Sequence, residues 1–253
     1  MKQFLIDCQL NNHLLKNKNK NKNKNKNKNK NKNKKETEGL ILAVQEQALR
    51  TNAIRAKVEK STTNSKCRLC KEADETVDHL ISCCKKIAQT DFKQRHDKVA
   101  GMIHWNICKK YKLPVAKNWW DDKIEKVVEN EDVKILWDFR LQTDKHLPHN
   151  TPDITVVEKK EKQVKIIDIA IPGDSRIEEK EIEKITKYKD LQIEIERLWQ
   201  KKTKIIPVVI GALGAVSKDL EEHLNTIGAT EITISQLQKA ALLGTAYILQ
   251  RYL

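Results

Sequence analysis

Val164-Lys165-Ile166-Ile167-Asp168-Ile169-Ala170-Ile171 is a mostly apolar run with a single carboxylate among its last six residues, and Pro172-Gly173-Asp174-Ser175 closes it with turn formers. A run of this length and bounding reads as a strand buried in a sheet. Upstream, Ile154 to Val157 gives a second short strand, joined to the first by the charged turn Glu158 to Lys162. Further upstream, Ile135, Trp137, Phe139 and Leu141 alternate with more polar residues, the period-2 signal of another strand. Downstream, Asp174 or Ser175 is placed to cap a helix from about Arg176 to Lys201. Ile205 to Ile210 then reads as a strand covered on both faces, and helices follow at about 217–226 and 235–251. The order β-β-β-α-β-α-α describes a small α/β domain with a mixed sheet, over residues 133–253.

The N-terminal half differs in character. Residues 1–15 form a weakly apolar lead, and Lys16 to Lys35 holds eleven lysines, alternating with asparagine as far as Lys34, and no acid. Such a tract cannot bury anything and repels itself, so residues 1–35 are expected to be disordered. The tract also dominates the charge. The chain of 253 residues carries +14, but outside the tract 38 basic side chains face 35 acidic ones. The charge by itself is therefore weak support for a polyanionic partner. A helical segment is expected from Glu36 to Lys60, on the spacing of Leu40, Val44, Ala48, Ile54 and Val58. A linker of helix and loop is expected over 85–132, its helix at 85–110, with Trp119 and Trp120 anchoring a polar loop at 118–132.

No run approaches the ~18 apolar residues of a membrane helix, and the longest candidate, Ile205 to Val216, contains Pro207, Gly211 and Gly214. Four of the six cysteines, Cys67, Cys70, Cys83 and Cys84, crowd into 67–84 in a chain without a secretory signal pattern, which favours metal over disulfides. The expectation is a soluble, intracellular, reduced protein. Cys67-x2-Cys70-x8-His79 followed by Cys84 has the spacing of a structural zinc knuckle, with Cys83 as the competing fourth ligand.

Pro152-Asp153 opens one strand and Asp168 sits near the end of the next, so a tight turn brings both carboxylates to one end of the sheet. Paired hard oxygen ligands suit Mg²⁺. A carboxylate inside an apolar strand is also costly to bury without a cation or hydrogen bonds. On the following helix, Lys184 falls in the middle of the apolar stripe of Ile177, Tyr188, Leu191 and Ile195, and Lys187 at its edge. A lysine so placed must snorkel or meet an anion. Glu181 reads as a partner for a nearby lysine, and His146 and His149 as exposed loop residues.

Pro152-Asp153, Asp168 and Lys184-x3-Tyr188 together resemble a PD-(D/E)XK nuclease core in which the lysine has moved onto the helix, since Ala170 stands at its usual place. With Cys67-Arg68-Leu69-Cys70 and Glu75-Thr76-Val77-Asp78-His79 ahead of it, the segment from about Glu36 to Leu253 resembles the C-terminal part of site-specific non-LTR retrotransposon polyproteins. The resemblance implies a restriction-like fold behind a zinc knuckle. It also implies a Mg²⁺-dependent endonuclease that nicks target DNA to prime reverse transcription. Asp153, Asp168 and the backbone carbonyl of Ile169 would hold Mg²⁺, and Lys184 would be the catalytic lysine, with Lys187 as its rival. DNA is the implied partner, with retrotransposon RNA as a second, and the implied location is the nucleus for an active protein. No Tyr-x-Asp-Asp motif occurs, so polymerase activity is not expected of this chain. Thr151 replaces the basic residue usual before Pro-Asp. The rival reading is a relic that binds nucleic acid through the knuckle and no longer cuts.

Overall fold

The computed structural model describes residues 24–253, with side chains from residue 35 onward. The lead at 1–15 and the repeat up to residue 23 lie outside the described residues. From Lys24 the repeat is not unstructured as expected, because it forms the first half of helix α1 (Lys24–Gln45). Lysine is a good helix former and the tract contains no proline, so the turns carrying Leu40 and Val44 extend backward into it. The expected helix over 36–60 is two helices. Gln47 adopts a left-handed conformation (φ 55°), and Thr51 starts α2 (Asn52–Lys57) by accepting the Ile54 N–H at 3.4 Å.

After the cysteine cluster and two irregular turns, α3 (Lys93–Lys110) begins eight residues later than expected. The sheet follows, with β1 (Val127–Glu129), β2 (Val133–Trp137), β3 (Ile154–Glu158) and β4 (Gln163–Ala170). The crossover to β5 (Lys202–Val209) contains α4 (Ile177–Lys187) and α5 (Lys189–Trp199), and α6 (Leu220–Ile227) and α7 (Ile234–Tyr252) end the chain. Spatial order equals chain order; β1 to β4 pair antiparallel and β5 runs parallel to β4. The expected mixed sheet is thus present with one extra strand. Pro207 is accommodated because β5 is an edge strand.

Four expectations need correction. β1 was read as loop, since three residues are too few to show a period. The strand expected through Leu141 ends at Trp137, because Asp138 turns into positive φ (42°) and sends Phe139 to the surface. The crossover helix breaks at Tyr188 (φ −103°, ψ 9°), where the buried phenol is held by the sheet rather than by the helical ladder. Asp174 does not cap α4; its carboxylate accepts the Leu213 and Ala215 N–H groups at 2.8 and 3.2 Å.

One sheet face packs on α3, α6 and α7 through Ile135, Val156, Ile167, Ile169 and Val208. The other, through Leu136, Val157, Val164 and Ile166, receives Tyr188, Leu191 and Ile195 from the crossover. The cysteine cluster was expected to stand as a separate module. Instead, Cys67, Leu80, Ile81 and Cys84 share a core with Val44 of α1, Ala212, and Ile248 and Leu249 of α7. Arg95 of α3 ties these parts together. Its guanidinium, 2% exposed, donates to the Ile81 carbonyl (2.8 Å), the Ile171 carbonyl (3.2 Å) and Thr245 Oγ1 (2.7 Å). Burial lowers its pKa to about 10, which leaves it charged at neutral pH.

Arg95 reaches α7 only because residue 244 is glycine: a Cβ there would lie 2.5 Å from Arg95 Cγ and 2.9 Å from Cδ. Alanine gains about 1 kcal/mol of helix propensity over glycine, but forcing an anchored buried side chain aside costs about 1–3 kcal/mol. Gly244→Ala is therefore expected to lose up to about 2 kcal/mol net, read as a lower urea midpoint at unchanged slope.

Candidate functional site

The cysteine cluster assembles as the spacing implied. The ligand atoms of Cys67, Cys70, His79 and Cys84 all lie within 4.8 Å of one another. Cys67 Sγ is 4.0 Å from Cys84 Sγ, and Cys70 Sγ is 3.4 Å from His79 Nε2. A tetrahedral zinc with bonds of about 2.3 Å sets its ligands about 3.8 Å apart, so these four atoms could hold such an ion with little movement. Backbone N–H groups of Ala73 and Glu72 draw the Cys70 pKa down to about 6, while burial, with Cys67 beside it, pushes Cys84 up to about 11. Metal binding must therefore expel a proton from Cys84. Cys83 lies outside the cluster. It is exposed, 3.0 Å from an Arg176 nitrogen and 3.5 Å from Asp78 Oδ2.

Glu75 supports the knuckle from within. Fully buried, it accepts the Arg68 guanidinium at 2.7 and 2.9 Å and the backbone N–H groups of Arg68 (2.7 Å) and Asn52 (2.9 Å). Each carboxylate oxygen thus has partners, which is the condition for burying it. Neither Arg68 nor Glu75 stood out in the sequence as more than a motif position.

The second cluster follows from strand register. Ile154 pairs with Ile167 and Thr155 with Ile166, so one further step sets Asp153 opposite Asp168. Directly opposed residues share a face, with Cβ atoms about 5 Å apart, and like charges there repel. The surroundings supply the compensation. Asp168, 2% exposed, has the Lys184 ammonium on Oδ2, the Tyr188 hydroxyl donating to Oδ1 at 2.5 Å and Lys187 Nζ at 3.5 Å from Oδ1. Apart from that ion contact, Oδ2 has no hydrogen-bond partner. Burial raises the Tyr188 pKa, assisted by Asp168, so the phenol keeps its proton and donates. Lys184, expected either to snorkel or to meet an anion, meets one. Lys187 meets the same one from farther away, with its ammonium 4.5 Å from the Tyr188 ring centre.

Asp153 is held from another direction. Its Oδ2 accepts the Ile169 N–H at 2.6 Å and lies 3.1 Å from His96 Nε2, on α3. His96 Nδ1 is in turn 3.0 Å from Asp97 Oδ1. Burial pulls the His96 pKa down, but the two carboxylates prevail and raise it to about 9. Burial likewise opposes ionisation of Asp153, and the His96 contacts, with the Ile169 N–H, outweigh it and hold the carboxyl below its usual range. His96 had no signal in the sequence, since only the packing of α3 against the end of β3 brings it to Asp153. Glu181 is not a lysine partner; it accepts from Ser217 Oγ at 2.6 Å. His146 and His149 are exposed, as expected.

Two carboxylates, both hard oxygen donors, stand together at this end of the sheet. Oδ2 of Asp168, met only by the Lys184 ammonium, gives a divalent cation an oxygen to take by exchange. The residues present fit Mg²⁺ in this respect.

Cys84→Ser is expected to lose bound zinc, measured by metal analysis of the purified protein, and to lower stability severely, whereas Cys83→Ser keeps both. In metal-free protein the His96 ring should titrate near pH 9, followed by NMR, and fall toward 6.5 in Asp153→Asn. Because the folded pKa is raised, the stabilising contact is present in full below about pH 6.5 and fades as pH rises through 9. No helix among the described residues is long and apolar enough to cross a membrane. No protein-family model matches the chain, and no curated protein is significantly similar to it.

Proposed function

We propose that the chain is a restriction-like DNA endonuclease of retrotransposon type, stabilised by a zinc knuckle and dependent on Mg²⁺. One observation carries this reading: Asp153 and Asp168 sit at the same end of adjacent strands, with the Lys184 ammonium on Asp168. A Mg²⁺ ion held by Asp153, Asp168 and the Ile169 carbonyl would polarise a phosphate oxygen and acidify a bound water. The chain's own groups do the rest. The Ile169 N–H and His96 hold Asp153 through Oδ2, which leaves Oδ1 for ligation. Tyr188 fixes Asp168 through Oδ1, which leaves Oδ2. Lys184, adjacent to that oxygen, is placed to put positive charge on the scissile phosphate as it becomes more negative. Hydrolysis would add water to phosphorus and release a 3′-hydroxyl, the group a reverse transcriptase extends. DNA in the nucleus is the substrate this reading requires.

A binding relic is the second reading. Two lysines and a tyrosine already compensate Asp168, which is how a purely structural ion cluster would be arranged.

Nicking of supercoiled plasmid by the zinc-loaded protein separates the two. Mg²⁺-dependent nicking is expected, falling by about 10²–10³-fold in Asp168→Asn and in Lys184→Ala, and by much less in Lys187→Ala. Absence of cleavage by the folded parent protein would favour the relic.

A further inference from the structure

We propose that Trp120 is a stacking platform for a nucleobase beside the nuclease site, with the nucleic-acid strand running along α3. This rests on the nuclease reading for what the strand is, and it adds where the strand lies. The two tryptophans, which looked like paired anchors of a loop, have separate roles. Trp119 packs against the main core, whereas Trp120 remains 65% exposed, the most exposed large aromatic among the described residues. The two rings meet edge to face, with centroids 5.7 Å apart at 86°, so Trp119 braces its neighbour and leaves a face of the outer indole open.

The loop beneath is tied down on both sides. Trp105 Nε1 donates to the Ala116 carbonyl at 2.9 Å, Asp122 Oδ1 accepts the Ala116 N–H at 2.7 Å, and Asn118 donates to Asp121 at 2.8 Å. It also lies close on α3: a Cβ at Gly101 would be 3.2 Å from Ile124 Cδ1. An exposed tryptophan on a braced loop loses little freedom on stacking, and that lowers the cost of binding.

Between this loop and α3 lies an open cleft of about 460 Å³, lined by Lys93, Gln94, Asp97, Lys98, Trp119 and Trp120 among others. Lys98 and the Gln94 amide beside an aromatic face are what a base and its phosphate need together. The two acids of the cleft are already engaged, Asp97 by His96 and Lys93, and Asp122 by the Ala116 N–H. The cleft borders the Asp153 site, since Asp97 lines it and His96 links Asp97 to Asp153. A strand with its scissile phosphate at Asp153 and Asp168 would place a flanking base over Trp120. Stacking of this kind is indifferent to sequence, so the platform would position a strand without selecting a target.

The test is anisotropy of a labelled single-stranded oligonucleotide of about 20 nucleotides, titrated with the full zinc-loaded chain in EDTA-free buffer containing Ca²⁺ in place of Mg²⁺. Trp120→Ala is expected to weaken binding about tenfold or more. Trp120→Phe should retain most of the affinity. The slope of log Kd against log salt should stay unchanged in both, since no phosphate contact is removed. Equal affinity of Trp120→Ala and parent, or no oligonucleotide binding by the parent, overturns the platform. Asp168→Asn separates the two claims. If it abolishes nicking while Trp120→Ala leaves binding intact, the nuclease stands and the platform falls; if the parent binds through Trp120 yet never nicks, the platform stands and the nuclease falls.

Discussion

Two aspartates placed opposite each other at the end of an antiparallel pair repel, and most of the candidate site is a response to that repulsion. The register of β3 and β4 allows no alternative: a slip of one residue would turn Ile154, Val156, Ile167 and Ile169 out of the main core. With the carboxylates thus constrained, compensation must come from other elements. α4 sends Lys184, Lys187 follows at its end, and Tyr188 breaks the helix to reach Asp168. α3 sends His96 to Asp153 from the other layer. A stable arrangement that already gathers cationic groups around two hard-oxygen ligands is also one that a divalent cation and a phosphate can enter by exchange.

The knuckle is coupled to that site through a buried cation. Arg95 and His96 are neighbours on α3; the first donates to the knuckle, the end of β4 and α7, while the second holds Asp153. Movement of the knuckle would therefore be felt one residue from the site. The shared core of Leu80, Ile81, Ile248 and Leu249 makes the same connection through packing. A metal in the cysteine cluster would thus stabilise more than its own loop. Arg95 is unusual in being satisfied by carbonyls and a hydroxyl rather than by a carboxylate.

Some of this was legible in the chain. The cysteine and histidine spacing predicted the cluster because ligand geometry in a short segment is a local matter. The strands at 154–157 and 164–171 were visible because each is a short apolar run bounded by turn or charged residues. Lys184 showed itself as a charge on an apolar stripe. β1 did not, being three residues long, nor did the end of β2, where one left-handed residue, Asp138, reverses the pattern. The helix continuing into the Asn-Lys repeat was hidden by a composition that also describes disordered chains.

The sequence by itself determined the local commitments: where the longer strands run, that Cys67, Cys70 and His79 gather with one of two adjacent cysteines, and that two carboxylates and a lysine approach one end of a sheet. Each follows from chemistry within about thirty residues. Only the tertiary structure decided the rest. It chose Cys84 over Cys83, because one thiol faces the cluster and the next faces solvent. It put Lys184 in closer contact with Asp168 than Lys187, because the helix turns that residue inward. It brought His96 to Asp153 across 57 positions, and left Trp120 open beside them. Those choices depend on how layers pack against one another, and packing is set by the shapes of surfaces that are far apart along the chain.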